Sequence, residues 1–324
     1  MRIAFLWDVP APVRALFLAR LPEHDLVFAA GESGDSALLI DADVAIGWRV
    51  TGDQMVAARR LRLFQTPAAG ADHLVGAFRD APHVPLCNSH GNSRTVAEMA
   101  LALLLAQAKQ LAFHDREMRA GKWRLWEEFR PSAILEGRTA GLVGFGAINR
   151  RLAEILRVLG MRCVAIRRAP GDREPLLDWQ GGPGDLARLM GESDAIVVAA
   201  PLTPATRGLI GRTQLRAAKP GAILVNVARG ELVDENALWE ALTEGPLGGA
   251  AIDVWYEYRP EPDEAGRRRP YHRPFHTLEN VTLSPHRGAS PLDDVTRWED
   301  VVENVRRVAR GEPPRNRVDL ERGY

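Results

Sequence analysis

Residues 139–168, TAGLVGFGAINRRLAEILRVLGMRCVAIRR, read as a strand, a glycine turn, a helix and a second strand, and the rest of the chain can be placed around that unit. Thr139 to Val143 is a short apolar run. Gly144-Phe145-Gly146 follows it directly, so the backbone can turn tightly and approach a ligand without interference from a Cβ. The helix opening at Ala147 carries Leu152, Ile155, Leu156 and Leu159 at helical spacing and stops at Gly160. Its first N–H groups and its dipole attract an anion, and a pyrophosphate fits there. Met161 to Ile166 is a second apolar run, completing the βαβ context in which a glycine turn signifies dinucleotide binding.

Two positions depart from the usual fingerprint. Asn149 stands where a third glycine would allow close helix–strand packing, which implies a slightly wider contact. At the end of the second strand, where an acidic residue would accept the ribose 2′-hydroxyl of NAD, the chain has Arg167 and Arg168. A guanidinium pairs with a 2′-phosphate through charge-assisted bidentate hydrogen bonds, so this pair favours NADP and leaves NAD open. The alternative is two solvated surface arginines.

The 324 residues exceed one average domain and their 46% hydrophobic content suits a large buried core, so two domains are expected. Lysine plus arginine, 42, balance aspartate plus glutamate, 42, which removes the electrostatic footprint that nucleic acid or an anionic membrane needs. A small-molecule partner is the expectation. Cys87 and Cys163 both lie in apolar runs and read as unpaired thiols of a reducing compartment, not as a disulfide or a metal site. The N-terminal MRIAFLWDVP lacks the charged and apolar regions of a signal peptide, so a cytoplasmic location is expected.

From IAFLW to VPLCN, short apolar runs alternate with amphipathic stretches, the pattern of a small α/β domain whose ligand-facing loops lie at the carboxyl ends of its strands. Trp48-Arg49 and Pro67-Ala68-Ala69-Gly70 are two such loops. The second leaves backbone N–H groups for a carboxylate, whereas Trp48 serves either a ligand or packing at the rim. Residues 95–121 read as one helix of several turns, apolar almost all round in its first half and therefore buried. Its apolar run falls short of the about 20 residues a membrane span needs. Residues 122–138, with two tryptophans and a phenylalanine, read as a projecting arm that covers either a second subunit or its own. Beyond the glycine unit, DAIVVAA, AILVNV, LGGAAIDV and VTLSPH are further strands, with a capped helix at 234–245, a loop of some 25 residues after Val254 and a closing amphipathic helix within 291–311.

Arg229, Asp253 and His286 each sit at or just after the carboxyl end of a strand, where the crevice of a doubly wound sheet lies. An arginine fork grips the carboxylate and carbonyl of a 2-oxo acid together. A histidine with an ordinary pKa near 6.5 gives a proton to the forming alkoxide and removes it in reverse. Taken singly, each residue also has an ordinary structural role: an ion pair, a turn, a loop histidine.

With the glycine turn, these residues resemble the D-isomer-specific 2-hydroxyacid dehydrogenases. LVGFGAINRRLAEILRVLGMRCVAIRR looks like that family's nucleotide fingerprint, APLTPATRGLIG its cofactor loop, LVNVARGELVDENALWEAL its arginine motif, GAAIDVW its aspartate strand and NVTLSPHRG its histidine motif, in the family's order. The resemblance implies two doubly wound parallel-sheet α/β domains: a flavodoxin-like substrate domain of 1–104 and 289–324, and an inserted Rossmann domain of 105–288 that pairs into a homodimer. It implies cofactor contacts from Gly144, Phe145, Gly146, Ala147, Ile148, Arg167, Arg168, Ala200, Pro201, Thr206, Val227, Ala228, Asp253 and Gly288. Substrate contacts would come from Ala69, Gly70, Trp48, Arg229 and His286, with Arg229 and His286 catalytic. The family also places a glutamate against the histidine, five residues after the aspartate; here that position is Tyr258, and Glu257 before it is the expected partner, with Tyr258 itself and Glu261 as the alternatives. The implied activity is hydride transfer between NADPH, or NADH, and a small 2-oxo acid such as glyoxylate or hydroxypyruvate. The competing reading of the same fold is a nucleotide-sensing binding protein with little turnover.

Overall fold

The structure, a computed structural model, describes residues 1–30, 36–123, 132–290 and 295–324. The chain forms two compact units, Met1–Asn92 with Pro291–Tyr324, and Ser93–Ser290.

The first unit holds β1 (Arg2–Phe5), α1 (Ala11–Arg20), β2 (Asp25–Phe28), α2 (Ser36–Ile40), β3 (Val44–Ile46), α3 (Gly52–Ala57), β4 (Leu63–Gln65) and β5 (Leu86–Cys87). The five strands are parallel in the order β2-β1-β3-β4-β5, the flavodoxin-like winding. The central strands β3 and β4 are buried throughout, as strands covered on both faces must be. The C-terminal segment completes this unit. Its Val318 N–H donates to Leu86 O at 2.8 Å and Asn88 N–H donates to Asn316 O at 3.1 Å, so the tail lies along β5. Buried Asn304 donates to Gln65 Oε1 at 2.7 Å and to Arg315 O at 2.9 Å, fastening the closing helix and the tail to β4.

The second unit opens with α4 (Ser93–Ala108) and α5 (Leu111–Arg119), and continues through β6 (Thr139–Val143), α6 (Ala147–Val158), β7 (Arg162–Ile166), β8 (Trp179–Gly181), α7 (Leu186–Glu192), β9 (Ala195–Val198), α8 (Arg212–Arg216), β10 (Ala222–Asn226), α9 (Glu235–Thr243), β11 (Leu247–Ile252) and β12 (Val281–Leu283). The last helix, α10 (Thr296–Ala309), belongs to the first unit. Seven parallel strands run in the order β12-β11-β10-β9-β6-β7-β8, so the winding reverses between β6 and β9. Ligands bind at such a reversal.

One expectation is corrected. The helix expected across 95–121 is two helices meeting at 64°, because Gln110 takes φ +54° and ends the first ladder. The two compact units part between Asn92 and Ser93, at the start of α4. That helix packs along its whole length on α6, β10 and β11, and Gln107 fastens it to the sheet by donating to Asn280 O at 3.0 Å and accepting from Thr282 Oγ1 at 2.8 Å. No single helix among the described residues is long and apolar enough to cross a membrane. The arm's residues 124–131 lie outside the described residues.

The long loop after β11 is stapled down. Glu235 at the start of α9 accepts from the N–H of Arg273 at 2.9 Å and from His272 Nδ1 at 2.8 Å, while Trp255, Tyr271 and Phe275 pack their rings together.

Candidate active site

The glycine turn stands where the winding reverses. Gly144 has φ +84°, and a Cβ there would lie 2.9 Å from Ala199 O, so only glycine lets the end of β6 pass the end of β9. Gly146 caps α6. A Cβ on it would meet no atom within 4 Å, no side chain caps the helix and no acid occupies its first turn. The N–H groups at Ala147 and Ile148 therefore open on free space with a positive end of a helix behind them, a cradle that fits a dinucleotide pyrophosphate. Phe145 turns away into the core, with the Arg150 guanidinium 5.1 Å over its ring.

Asn149 does more than widen a contact. It is fully buried and its Nδ2 donates to Gly144 O at 2.6 Å and reaches Val197 O at 3.4 Å, so its amide ties the turn to β9. Arg167 and Arg168 follow β7 directly. Arg167 is partly buried, donating its N–H to Gly181 O at 2.9 Å and reaching Gln180 Oε1 at 3.4 Å, while Arg168 is exposed. The loop after β9 organises itself: Thr206 Oγ1 donates to Pro201 O at 2.7 Å and accepts from Thr203 N at 2.8 Å. With its hydroxyl so engaged, Thr206 shapes the loop that begins at Ala200.

At the end of β10, buried Asn226 folds its side chain over the following turn. Its Oδ1 accepts from Ala228 N at 3.1 Å and its Nδ2 donates to Arg229 O at 2.9 Å, fixing Val227, Ala228 and Arg229 in one turn. Gly230 then allows the chain to press on the end of β11, since a Cβ there would fall 2.5 Å from Trp255 O. Asp253, 2% exposed, spends its carboxylate on the segment after β12: Oδ1 accepts from Ser284 Oγ at 2.5 Å and Arg287 N at 2.7 Å, and Oδ2 from Gly288 N at 2.8 Å. Ser284 is held twice, for its carbonyl also accepts from Trp255 Nε1 at 2.8 Å. Asn226, Gly230, Trp255 and Ser284 were not singled out from sequence; the small or amide residues at strand ends were the available signal.

His286 is carried on this clamped turn with φ +57°. Although His286 is exposed, the crowding around it lowers its pKa from the ordinary value, the Arg229 guanidinium and Arg287 lower it further, and Asp253 opposes them. Arg229, whose Nη1 donates to Ala228 O at 2.8 Å, is thus an electrostatic neighbour of the imidazole. The expected partner Glu257 is not on the ring. Its Oε1 accepts from Arg259 N at 2.9 Å within its own loop, because the N–H groups of Tyr256 and Glu257 both donate to Pro270 O and turn that carboxylate outward. Tyr258 takes the place, its ring centroid 5.2 Å from that of His286 at 61°.

In the first unit, Asn88 Nδ2 donates to Ala69 O at 2.7 Å and Ser89 N to Ala68 O at 3.0 Å, which fixes the loop that carries the Ala69 and Gly70 N–H groups. Trp48 packs edge-on to Trp7 at 6.1 Å, and Trp7 stacks on Trp298 at 6.1 Å. Of its two expected roles, packing is the one this geometry fits.

A dinucleotide cradle at the reversal of a Rossmann sheet, with an arginine after β10 and a histidine after β12 on either side of β11, is the arrangement of a nicotinamide-dependent oxidoreductase. Residues 101–288 match the model of the D-isomer specific 2-hydroxyacid dehydrogenase, NAD binding domain. A glyoxylate reductase of Korarchaeum cryptofilum is 35% identical over 274 residues, 82% of this chain and 78% of that protein. A hydroxypyruvate reductase of Thermotoga maritima is 33% identical over 246 residues, 76% of each. The crystal structure of a D-isomer specific 2-hydroxyacid dehydrogenase from Xanthobacter autotrophicus Py2 in complex with NADPH and MES is 29% identical, covers 100% of this chain and 99% of that one, and gives a TM-score of 0.82. The chain belongs to the D-isomer specific 2-hydroxyacid dehydrogenase family, and is an NAD(P)-dependent oxidoreductase.

Proposed function

We propose that this enzyme reduces a small 2-oxo acid such as glyoxylate or hydroxypyruvate to the 2-hydroxy acid, with NADPH as the preferred reductant. The observation that carries the reading is the placing of Arg229 after β10 and His286 after β12, strand ends of the nucleotide sheet on either side of β11, with the Arg229 charge lowering the pKa of the imidazole. The Arg229 fork binds the carboxylate and polarises the carbonyl, and the His286 imidazolium gives its N–H proton to the carbonyl oxygen as it becomes a hydroxyl. When bound, the reduced nicotinamide supplies the hydride. Gly144 to Ile148 would hold the pyrophosphate, and Ala200, Pro201, Val227, Ala228, Asp253 and Gly288 would line the rest of the cofactor's seat. The N–H groups of Ala69 and Gly70 are donors for a substrate carboxylate.

Arg167 and Arg168 support the NADPH preference, standing where a ribose 2′-substituent is read. Steady-state kinetics on a panel of 2-oxo acids with both cofactors test it: kcat/KM with NADPH should exceed that with NADH by roughly tenfold or more, the worth of one charge-assisted contact. Changing Arg167→Asp together with Arg168→Ala should invert the ratio. Equal ratios before and after the change refute the assignment. A homodimer through the second unit is also inferred, from exposed Leu111, Met118, Trp123 and Ile134, and sedimentation at micromolar protein tests it. The buried thiols of Cys87 and Cys163, raised by burial to about 12 and about 11, fit a reducing compartment such as the cytoplasm.

A further inference from the structure

His286 sits in a left-handed conformation that side chains rarely adopt, so the turn around it must be held from outside. Asp253 holds it, and in doing so its carboxylate accepts from Ser284, Arg287 and Gly288. None of the hydrogen bonds to that carboxylate comes from the imidazole. Among the described residues, the other charged groups that act on the ring are Arg229 and Arg287, both positive. Glu257 is engaged with Arg259, and Glu231 acts on Tyr258. What meets the imidazole is the ring of Tyr258, half exposed, uncharged and itself crowded beside Arg229.

We propose that Tyr258 is the positioning residue of His286, bracing its ring edge-on where no carboxylate of the described residues touches it, and that the substrate's own carboxylate adds to Asp253 the negative charge that lets His286 take up its proton. This rests on the 2-oxo acid reading above. A phenol ring fixes the orientation of the imidazole by contact but offers no charge to its protonated form. In the free protein two guanidinium groups oppose that form, and an acid seated on the Arg229 fork cancels one of them. The enzyme is thus charged for proton transfer by the arrival of its substrate. The consequence has a sign: reduction needs the imidazolium, so the limb on which activity falls with rising pH lies lower in kcat/KM, which reports the free enzyme, than in kcat, which reports the complex.

The test is an NMR pH titration of the His286 imidazole in the intact protein, its signal assigned by its loss in His286→Gln, alone and with oxamate, an unreactive carboxylate of 2-oxo acid shape. Oxamate should raise the midpoint. Tyr258→Glu should raise it in the free protein by about a pH unit or more, the usual effect of an adjacent carboxylate. In turnover, Tyr258→Ala should lower kcat by roughly tenfold with KM little changed, a loss of orientation, and Tyr258→Phe should recover most of that loss. A midpoint unmoved by oxamate binding or by Tyr258→Glu, or a Tyr258→Phe enzyme as slow as Tyr258→Ala, overturns the proposal. If oxamate perturbs no resonance and no 2-oxo acid is reduced, the substrate reading fails instead, while the Tyr258→Glu titration of the free protein still decides the brace.

Discussion

Asp253 illustrates how a single buried charge can serve a neighbour. Its carboxylate accepts three hydrogen bonds from residues 31, 34 and 35 positions away, all on the turn that presents His286. Asp253→Asn exchanges one acceptor for a donor aimed at backbone N–H groups, and should cost about 1–3 kcal/mol in chemical denaturation together with a fall in kcat. An unchanged stability with only weakened NADPH binding would assign the residue to the nicotinamide alone. Arg229 poses a different question, since its charge and its shape do separate work. Arg229→Lys keeps the charge beside His286 but loses the planar fork, so KM for 2-oxo acids should rise and kcat fall while the pH limb stays in place. A limb that moves as well would mean that the charge had been displaced from the ring.

At the scale of elements, β6, its turn and α6 divide two tasks between two glycines. Gly144 is demanded by the fold: its φ is +84° and a Cβ would press on the backbone of Ala199 and Ala200. Gly146 is not so constrained, because a Cβ there meets nothing. Gly144→Ala should therefore lower the melting temperature, with roughly 1–2 kcal/mol from the left-handed backbone alone. Gly146→Ala should leave the melting temperature in place and weaken NADPH binding, read by quenching or enhancement of its fluorescence, since the methyl fills the space before the α6 N–H groups. Full NADPH affinity in Gly146→Ala would refute the cradle. The same unit was the most legible part of the sequence. Strands buried on both faces, such as β6 and β10, read as unbroken apolar runs, and a turn between such a run and an amphipathic helix is a local signal.

For the whole molecule, ligand linkage offers a reading of cofactor choice that does not need turnover. A dinucleotide at a hundredfold its Kd stabilises the folded chain by about 2.7 kcal/mol, so at equal concentration NADPH should raise the melting temperature more than NADH. Equal shifts would count against Arg167 and Arg168 as readers of a 2′-phosphate. The sequence by itself determined the two wound sheets, the glycine cradle and the strand-end positions of Arg229, Asp253 and His286, because apolar period and turn residues act over a few neighbours. Only the tertiary structure decided what those residues touch. The fastening of α4 to the second unit, the outward turn of Glu257 and the seat of Tyr258 on His286 all depend on partners far along the chain, and the left-handed Gln110 divides a helix whose apolar pattern runs on unbroken. Local pattern sets which face a side chain takes. The folding of the loop from Trp255 back onto α9, by hydrogen bonds to Glu235 and Pro270, sets which ring it meets, and no spacing of residues encodes that closure.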